Sequence, residues 1–212
     1  PVGSPTNGNT PARVSALMYV RDAKNRDEAW LLDHIEEMGL DERSFRSRDY
    51  VIAVEEGSNT RAGFGRLRVH KTDGGDFVEL TGIGVLESWR GQGVGAHVVE
   101  RLVEKAGDQQ FEEVYCFTPT ATYLEQFGFE ALDDDEVPDA LGDRLEQVRY
   151  DEGEDATPLR LDREEFVLPE RFRERFKAAS ADGGGAEPEV KETAEDFGID
   201  PEEATYKYDT GG

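Results

Sequence analysis

A chain of 212 residues is long enough for one ordinary domain with residues to spare, and it can bury a hydrophobic core. Aspartate and glutamate number 48 against 24 lysine and arginine, and only 6 of the basic residues are lysine. The formal charge of −24 repels phosphate, which argues against a nucleic-acid partner or an anionic membrane surface. The acidic excess runs through the folded-looking part as well as the ends, which favours a halophile proteome over disordered acidic tails. The single cysteine, Cys116, excludes an intramolecular disulfide and a Cys-based zinc site. His34, His70 and His97 show no ligand spacing, and no metal is expected. No stretch approaches the ~20 apolar residues that span a bilayer, and no charged and apolar leader opens the sequence, so the expected compartment is the cytoplasm.

Residues 1–13, rich in Pro, Gly, Asn and Thr, read as a disordered leader. Ser15 to Val20 reads as a first strand. From Asp27 to Met38, the residues Trp30, Leu31, Ile35 and Met38 fit one helical face, and Gly39 stops it. Tyr50 to Val54 is a short apolar strand. Ala62 to Val69 and Phe77 to Val85 are two more, joined by a hairpin turn at Asp73-Gly74-Gly75. Val94, Val98, Leu102 and Val103 recur at helical spacing. Val114 to Thr118 is a fifth strand, Ala121 to Phe127 a short helix stopped by Gly128, and Gln147 to Tyr150 a last strand. This order predicts a mixed α/β sheet flanked by helices, with the domain ending near residue 150. Residues 151–212, with 19 acidic and 8 basic residues, read as an acidic extension. It holds one helix near 169–179, where Pro169 suits a first turn, and a Gly-rich linker near 182–186. The terminal Gly211-Gly212 reads as a tail.

The segment with the most chemistry is Leu80 to Ala106. A strand runs into a loop with glycines at 91, 93 and 95, and a helix starts. A helix start exposes unpaired N–H groups and the positive end of its dipole; glycines let backbone approach a pyrophosphate, and Arg90 adds a full charge. The dinucleotide spacing G-x-G-x-x-G fails because Ala96-His97-Val98 follows Gly95, and the Lys-Ser/Thr pair of a P-loop is missing.

The stretch Ile83-Gly84-Val85-Leu86-Glu87-Ser88-Trp89-Arg90-Gly91-Gln92-Gly93-Val94-Gly95 resembles the pyrophosphate-binding motif of the GNAT acetyltransferase superfamily. The order of flanking elements is similar over about residues 14–150. A second stretch, Thr118-Pro119-Thr120-Ala121-Thr122-Tyr123-Leu124-Glu125-Gln126-Phe127-Gly128-Phe129 with Pro138 beyond it, looks most like the acetyltransferase domain of N-acetylglutamate synthases. Thr118 and Thr120 equally suit caps for the helix that follows.

The resemblance implies an α/β (α+β) fold with a mostly antiparallel sheet splayed at a bulge, and acetyl-CoA as co-substrate. Ile83, Gly84 and Val85 would meet the pantetheine and thioester. Arg90, Gly91, Gln92, Gly93, Val94, Gly95 and Ala96 would take the pyrophosphate, with Thr118 on the neighbouring strand. Many members place a tyrosine general acid where this chain has Leu124, which leaves Tyr123 as a weak candidate and water as the alternative proton donor.

Acetyl transfer needs a neutral amine, hence a base. Glu79 lies six residues before Val85, so alternation puts both on one strand face, and related histone acetyltransferases carry their base at this position. A solvated strand-end glutamate is the alternative reading. Cys116 and Trp89 read as packing residues.

Three functions remain open: acetylation of a small-molecule primary amine such as an amino acid, acetylation of a protein N-terminus or lysine, and a non-catalytic CoA-binding module. A monomer or homodimer is expected. The acceptor would be met by the Gly39–Ser47 region and the segment after Phe129.

Overall fold

The computed structural model describes residues 17–183. The leader at 1–13, residues 184–186 of the expected linker, and the Gly211-Gly212 tail lie outside the described residues. Seven strands form one sheet: β1 (Met18–Asp22), β2 (Tyr50–Glu55), β3 (Thr60–Thr72), β4 (Gly75–Val85), β5 (Glu113–Thr118), β6 (Glu130–Ala131) and β7 (Thr157–Asp162), in the order β1-β2-β3-β4-β5-β7-β6. All neighbours are antiparallel except β4 and β5. This is the mixed, mostly antiparallel sheet expected from the sequence.

Among the described residues, five α-helices cover the sheet: α1 (Glu28–Glu37), α2 (Val94–Asp108), α3 (Ala121–Glu125), α4 (Gly142–Glu152) and α5 (Glu170–Lys177). Leu67 and Val69 of β3 and Val78 and Leu80 of β4 point to α2, where they meet Val98, Val99 and Leu102. Period-two alternation turns Phe64, Arg66, Arg68 and His70 to the other face. There Leu31 and Ile35 of α1 pack on Tyr50, Ile52 and Phe64, while Leu145 and Val148 of α4 pack on Tyr115 and Phe117. Polar residues of β3 and β4 fill the gap between these two apolar clusters. None of the helices among the described residues is long and apolar enough to cross a membrane.

At the start of α1, the buried carboxylate of Asp27 accepts from Arg21 at 2.7 Å, from Arg61 at 2.9 Å and from the backbone N–H of Lys24 at 2.8 Å. Burial alone would raise its pKa. The Arg21 hydrogen bond, with those of Lys24 and Arg61, instead holds it well below the carboxylate range.

One predicted element is wrong. Gln147–Tyr150 is not a strand but the second half of α4, because Leu141, Leu145 and Val148 fall on one helical face and all three are buried. The last long strand among the described residues is β7, which pairs along the whole of β5. Residues beyond Tyr150 therefore supply a strand inside the sheet, and α5 packs Phe172 and Phe176 into the core beside α2.

Candidate active site

The site is built around a fork between β4 and β5. The two strands run parallel and register only at Glu79 and Tyr115 among the described residues. The other edge of β5 is fully paired with β7 from Glu113 to Thr118. β4 is therefore free to diverge above Glu79.

A bulge helps it do so. Phe64 pairs with Gly84 but Arg66 pairs with Thr81, so Gly82 and Ile83 together oppose Gly65. Gly82 takes φ +57°, the left-handed conformation that glycine adopts at no steric cost. The extra residue reverses the alternation. Ile83 and Val85 join Val78 and Leu80 on the α2 side, while Glu79 lies on the opposite face. The expectation that Glu79 and Val85 share a face is thus overturned, since it assumed an unbroken strand.

Beyond Val85 a short turn carries the buried Trp89, and then Gly91 and Gly93 adopt φ +72° and +76° before α2 begins. Arg90 donates Nε–H to the Val85 carbonyl at 3.1 Å, which folds its side chain back along the strand end. Its two Nη groups have no partner among the described residues. Val94 and Ala96 bury their side chains completely, so what they can offer a ligand is backbone N–H. The Gln92 amide is committed to protein: it donates to the carbonyls of Ser88 at 3.1 Å and Ser180 at 3.0 Å, and accepts from Ser180 N–H at 2.9 Å. The loop thus combines a strand end, two left-handed glycines, a cation and a fifteen-residue helix at its positive end. That donor set fits a pyrophosphate.

Glu79 sits in the crotch of the fork, 1% exposed. Arg144 of α4 donates Nε–H to its Oε2 at 2.9 Å and Nη2–H to its Oε1 at 2.9 Å. The Nε2–H of His70 donates to Oε2 at 2.7 Å, since a carboxylate can only accept. Burial would raise the Glu79 pKa; the His70 and Arg144 hydrogen bonds overcome it and hold the carboxyl below its ordinary range. Glu79 is therefore ionised at neutral pH, with both oxygens engaged. Arg144 reaches Asp41 as well, at 3.3 Å, and Arg68 approaches the same carboxylate at 3.5 Å.

An open cleft of about 1080 Å³ runs along this face and around the edge of β3 that β2 leaves unpaired past Arg66. Ser44 and Arg46 from the loop after α1 and Ala140 ahead of α4 line it, so both regions expected to meet the acceptor border the same space. Arg66, Arg68 and His70 line its inner wall. Arg66 is structural: it donates to the carbonyls of Arg43 at 2.9 Å and Ser44 at 2.7 Å and pairs with Asp49. No carboxylate lies within 4.0 Å of Arg46, Arg48 or Lys71 among the described residues. Basic side chains outnumber Asp49 and Asp76 in the lining, which is unusual on a chain of charge −24.

Of the sequence candidates, Ile83 to Val85 and Arg90 to Ala96 form one arm of the fork, and Thr118 ends the other, 6% exposed. Thr118 Oγ1 accepts from the backbone N–H of Thr120 at 3.1 Å. Tyr123 lies apart, on the α2 side, edge-on to Phe127 at 5.2 Å and to Phe172 at 6.4 Å. Cys116 is buried, and burial with the nearby Glu79 charge pushes its thiol well up, so it is no nucleophile. The sequence reading missed His70, Arg144, Arg68 and Asp41. Only His70 had a signal: the Asp73–Gly75 turn fixes the hairpin register, which brings position 70 opposite Phe77 and diagonal to Glu79.

The model of the acetyltransferase (GNAT) family matches residues 17–129, more than half of the chain. No curated protein matches the chain in a sequence search. Among solved structures, the chain is similar to N-acetylglutamate synthase from Neisseria gonorrhoeae complexed with coenzyme A and N-acetyl-glutamate. The identity is 20% and the TM-score 0.54, over 73% of this chain and 36% of that one. It therefore spans little more than a third of the gonococcal enzyme. It is also similar to Rv2747 from Mycobacterium tuberculosis in complex with CoA, at 19% identity and TM-score 0.56 over 71% and 99% of the two chains. At these identities the likeness is one of fold. The chain belongs to the acetyltransferase (GNAT) family.

Proposed function

We propose that the chain transfers an acetyl group from acetyl-CoA to the primary amine of a small molecule, with amino acids as the leading class. The observation that carries this reading is the mainly basic cleft lined by Arg46, Arg48, Arg68 and His70, whose His70 imidazole reaches the Glu79 carboxylate behind it. Unpaired Arg46 and Arg48 with the loosely paired Arg68 suit an acceptor that carries a carboxylate, and they repel lysine-rich peptides. The gonococcal structure, which holds N-acetyl-glutamate, agrees with that class.

In this reading the Arg90 to Ala96 loop takes the pyrophosphate through backbone N–H groups and the Arg90 Nη atoms. Ile83 to Val85 align the thioester, with Thr118 on the facing arm. The acceptor ammonium gives up a proton, and its nitrogen attacks the thioester carbonyl. The C–S bond breaks, the thiolate takes a proton from water, and the hydroxide left behind takes the second proton from the new amide nitrogen. Glu79 supplies the fixed negative charge; His70 presents Nδ1 as the acceptor, because Nε2–H is held by Glu79. A buried, neutral Cys116 suits direct attack without an acyl-enzyme. The acidic, lysine-poor composition suits a salt-rich cytoplasm.

Thiol release from acetyl-CoA, measured against a panel of amino acids, uncharged amines and lysine-bearing peptides, tests the reading. Turnover with carboxylate-bearing amines is expected. Turnover with peptides alone would transfer the chain to protein acetylation, and CoA binding without turnover would leave a binding module.

A further inference from the structure

The segment after β7 crosses from α3 to α2 on the side of the sheet where the glycine loop lies. At α3, the N–H of Val167 donates to the Phe127 carbonyl at 3.0 Å, and Phe166 stacks on Phe127. In the middle, Phe172 is fully buried and wedged against Tyr123 and Phe127, with ring centroids 6.4 and 5.4 Å away. At α2, its carbonyl comes so close to Gly93 that a Cβ there would lie 2.5 Å from the oxygen. Phe176 stacks flat on His97 at 3.9 Å, and the His97 Nδ1–H donates to the Gly93 carbonyl at 2.8 Å. Arg173 pairs with Glu100 at 2.6 Å. Finally Ser180 closes two hydrogen bonds with the Gln92 amide.

These contacts converge on the outer side of one short loop. Gln92 spends three of its four hydrogen-bonding positions on Ser88 and Ser180, so its side chain cannot swing. Gly93 is held from outside by the backbone of α5, and its carbonyl by His97. The same segment also fixes the separation of α2 and α3 through Phe172. Both helices flank the open fork, and a left-handed loop between glycines has no ladder of its own to keep it in shape.

We propose that residues 163–183 are a strap that holds the pyrophosphate loop in its binding conformation, with Gln92, Phe172, Phe176 and Ser180 as positioning residues. The proposal rests on the assignment of the Arg90 to Ala96 loop to acetyl-CoA. None of the four needs to touch the thioester. Loosening the strap therefore weakens cofactor binding and leaves the acyl-transfer step intact.

The test uses the full chain, CoA titrated by calorimetry and steady-state kinetics in acetyl-CoA. Phe176→Ala is expected to raise the CoA Kd and the acetyl-CoA KM together by about tenfold, with kcat within about twofold. Phe176→Leu, which keeps the packing but not the stack on His97, is expected to fall between wild type and Phe176→Ala. Arg173→Ala, at the half-exposed rim, provides a variant that leaves the core intact and should raise both constants by about twofold. CoA should also slow amide exchange across 169–180 in the wild-type chain. Wild-type protein that does not bind CoA would overturn the cofactor assignment and the strap with it. Wild type that binds, with all three variants matching its Kd and KM, would overturn the strap alone. A fall in kcat at unchanged KM would overturn it too, because that pattern belongs to a group acting on the chemical step.

Discussion

Arg144 and Glu79 stand 65 residues apart in the chain and meet in the crotch of the fork through paired N–H···O bonds at 2.9 Å. The pairing ties α4 to β4 and leaves His70 as the cleft-side partner of the same carboxylate. Glu79→Gln is expected to lower kcat by about a hundredfold, the low end for general base catalysis, with CoA affinity held. If Glu79 acts through His70, His70→Gln should cost about as much, and the double variant little more than either alone. Full additivity in steady-state rates would separate the two residues. Turnover by Glu79→Gln unchanged at every pH would remove Glu79 from the mechanism.

The sequence made one half of this site legible and hid the other. The cofactor arm is local: Arg90, Gly91 and Gly93 fall within four consecutive residues, and their chemistry depends on backbone shape that the residues themselves impose. The acceptor arm is assembled from distant elements. Arg144 sits on a helix whose second half looks strand-like in isolation, because Val148 and Tyr150 alternate with polar residues. β7 escaped notice because Pro158 sits inside it and its partners on β5 lie 39 to 49 residues away. The resemblance implied a bulge but not its place at Gly82, and that place decides whether Glu79 and Val85 share a face.

Asp27 should govern acid stability. Its folded pKa lies below the unfolded value of about 4, so its contribution is present above that value and lost as pH falls through the folded one. Glu79 behaves in the same direction. Urea unfolding between pH 7 and 3 should show a falling midpoint on acidification. Asp27→Asn should cost about 3–5 kcal/mol at pH 7, because Arg21 and Arg61 lose their common counter-charge. It should also flatten the pH profile, and a profile as steep as wild type would place the acid sensitivity elsewhere.

Salt should stabilise the fold. With a net charge of −24, self-repulsion outweighs the exposed ion pairs. Raising KCl from 0.1 to 1 M shortens the screening length from about 10 to about 3 Å, which weakens repulsion between carboxylates across the surface. The melting temperature is expected to climb over that range. The buried pairs at Asp27 and Glu79, shielded from solvent, should be little affected. A melting temperature that falls with KCl would mean that surface ion pairs such as Arg149–Asp134 dominate instead.

Tyr123 offers the sharpest test of the proton donor. Its ring is 5% exposed and lies in an aromatic cluster with Phe127 and Phe172, on the α2 side of the sheet, whereas Glu79 and His70 face the other side. Phenylalanine preserves those ring contacts and removes only the hydroxyl. If water protonates the departing thiolate, Tyr123→Phe should leave kcat within about twofold at every pH. If the phenol is the acid, kcat should drop by about a hundredfold or more, and the alkaline limb of the rate profile should move or vanish. Because the strap bears on the same ring through Phe172, a third pattern is informative: a raised acetyl-CoA KM at unchanged kcat would assign Tyr123 to the support of the cofactor loop rather than to chemistry.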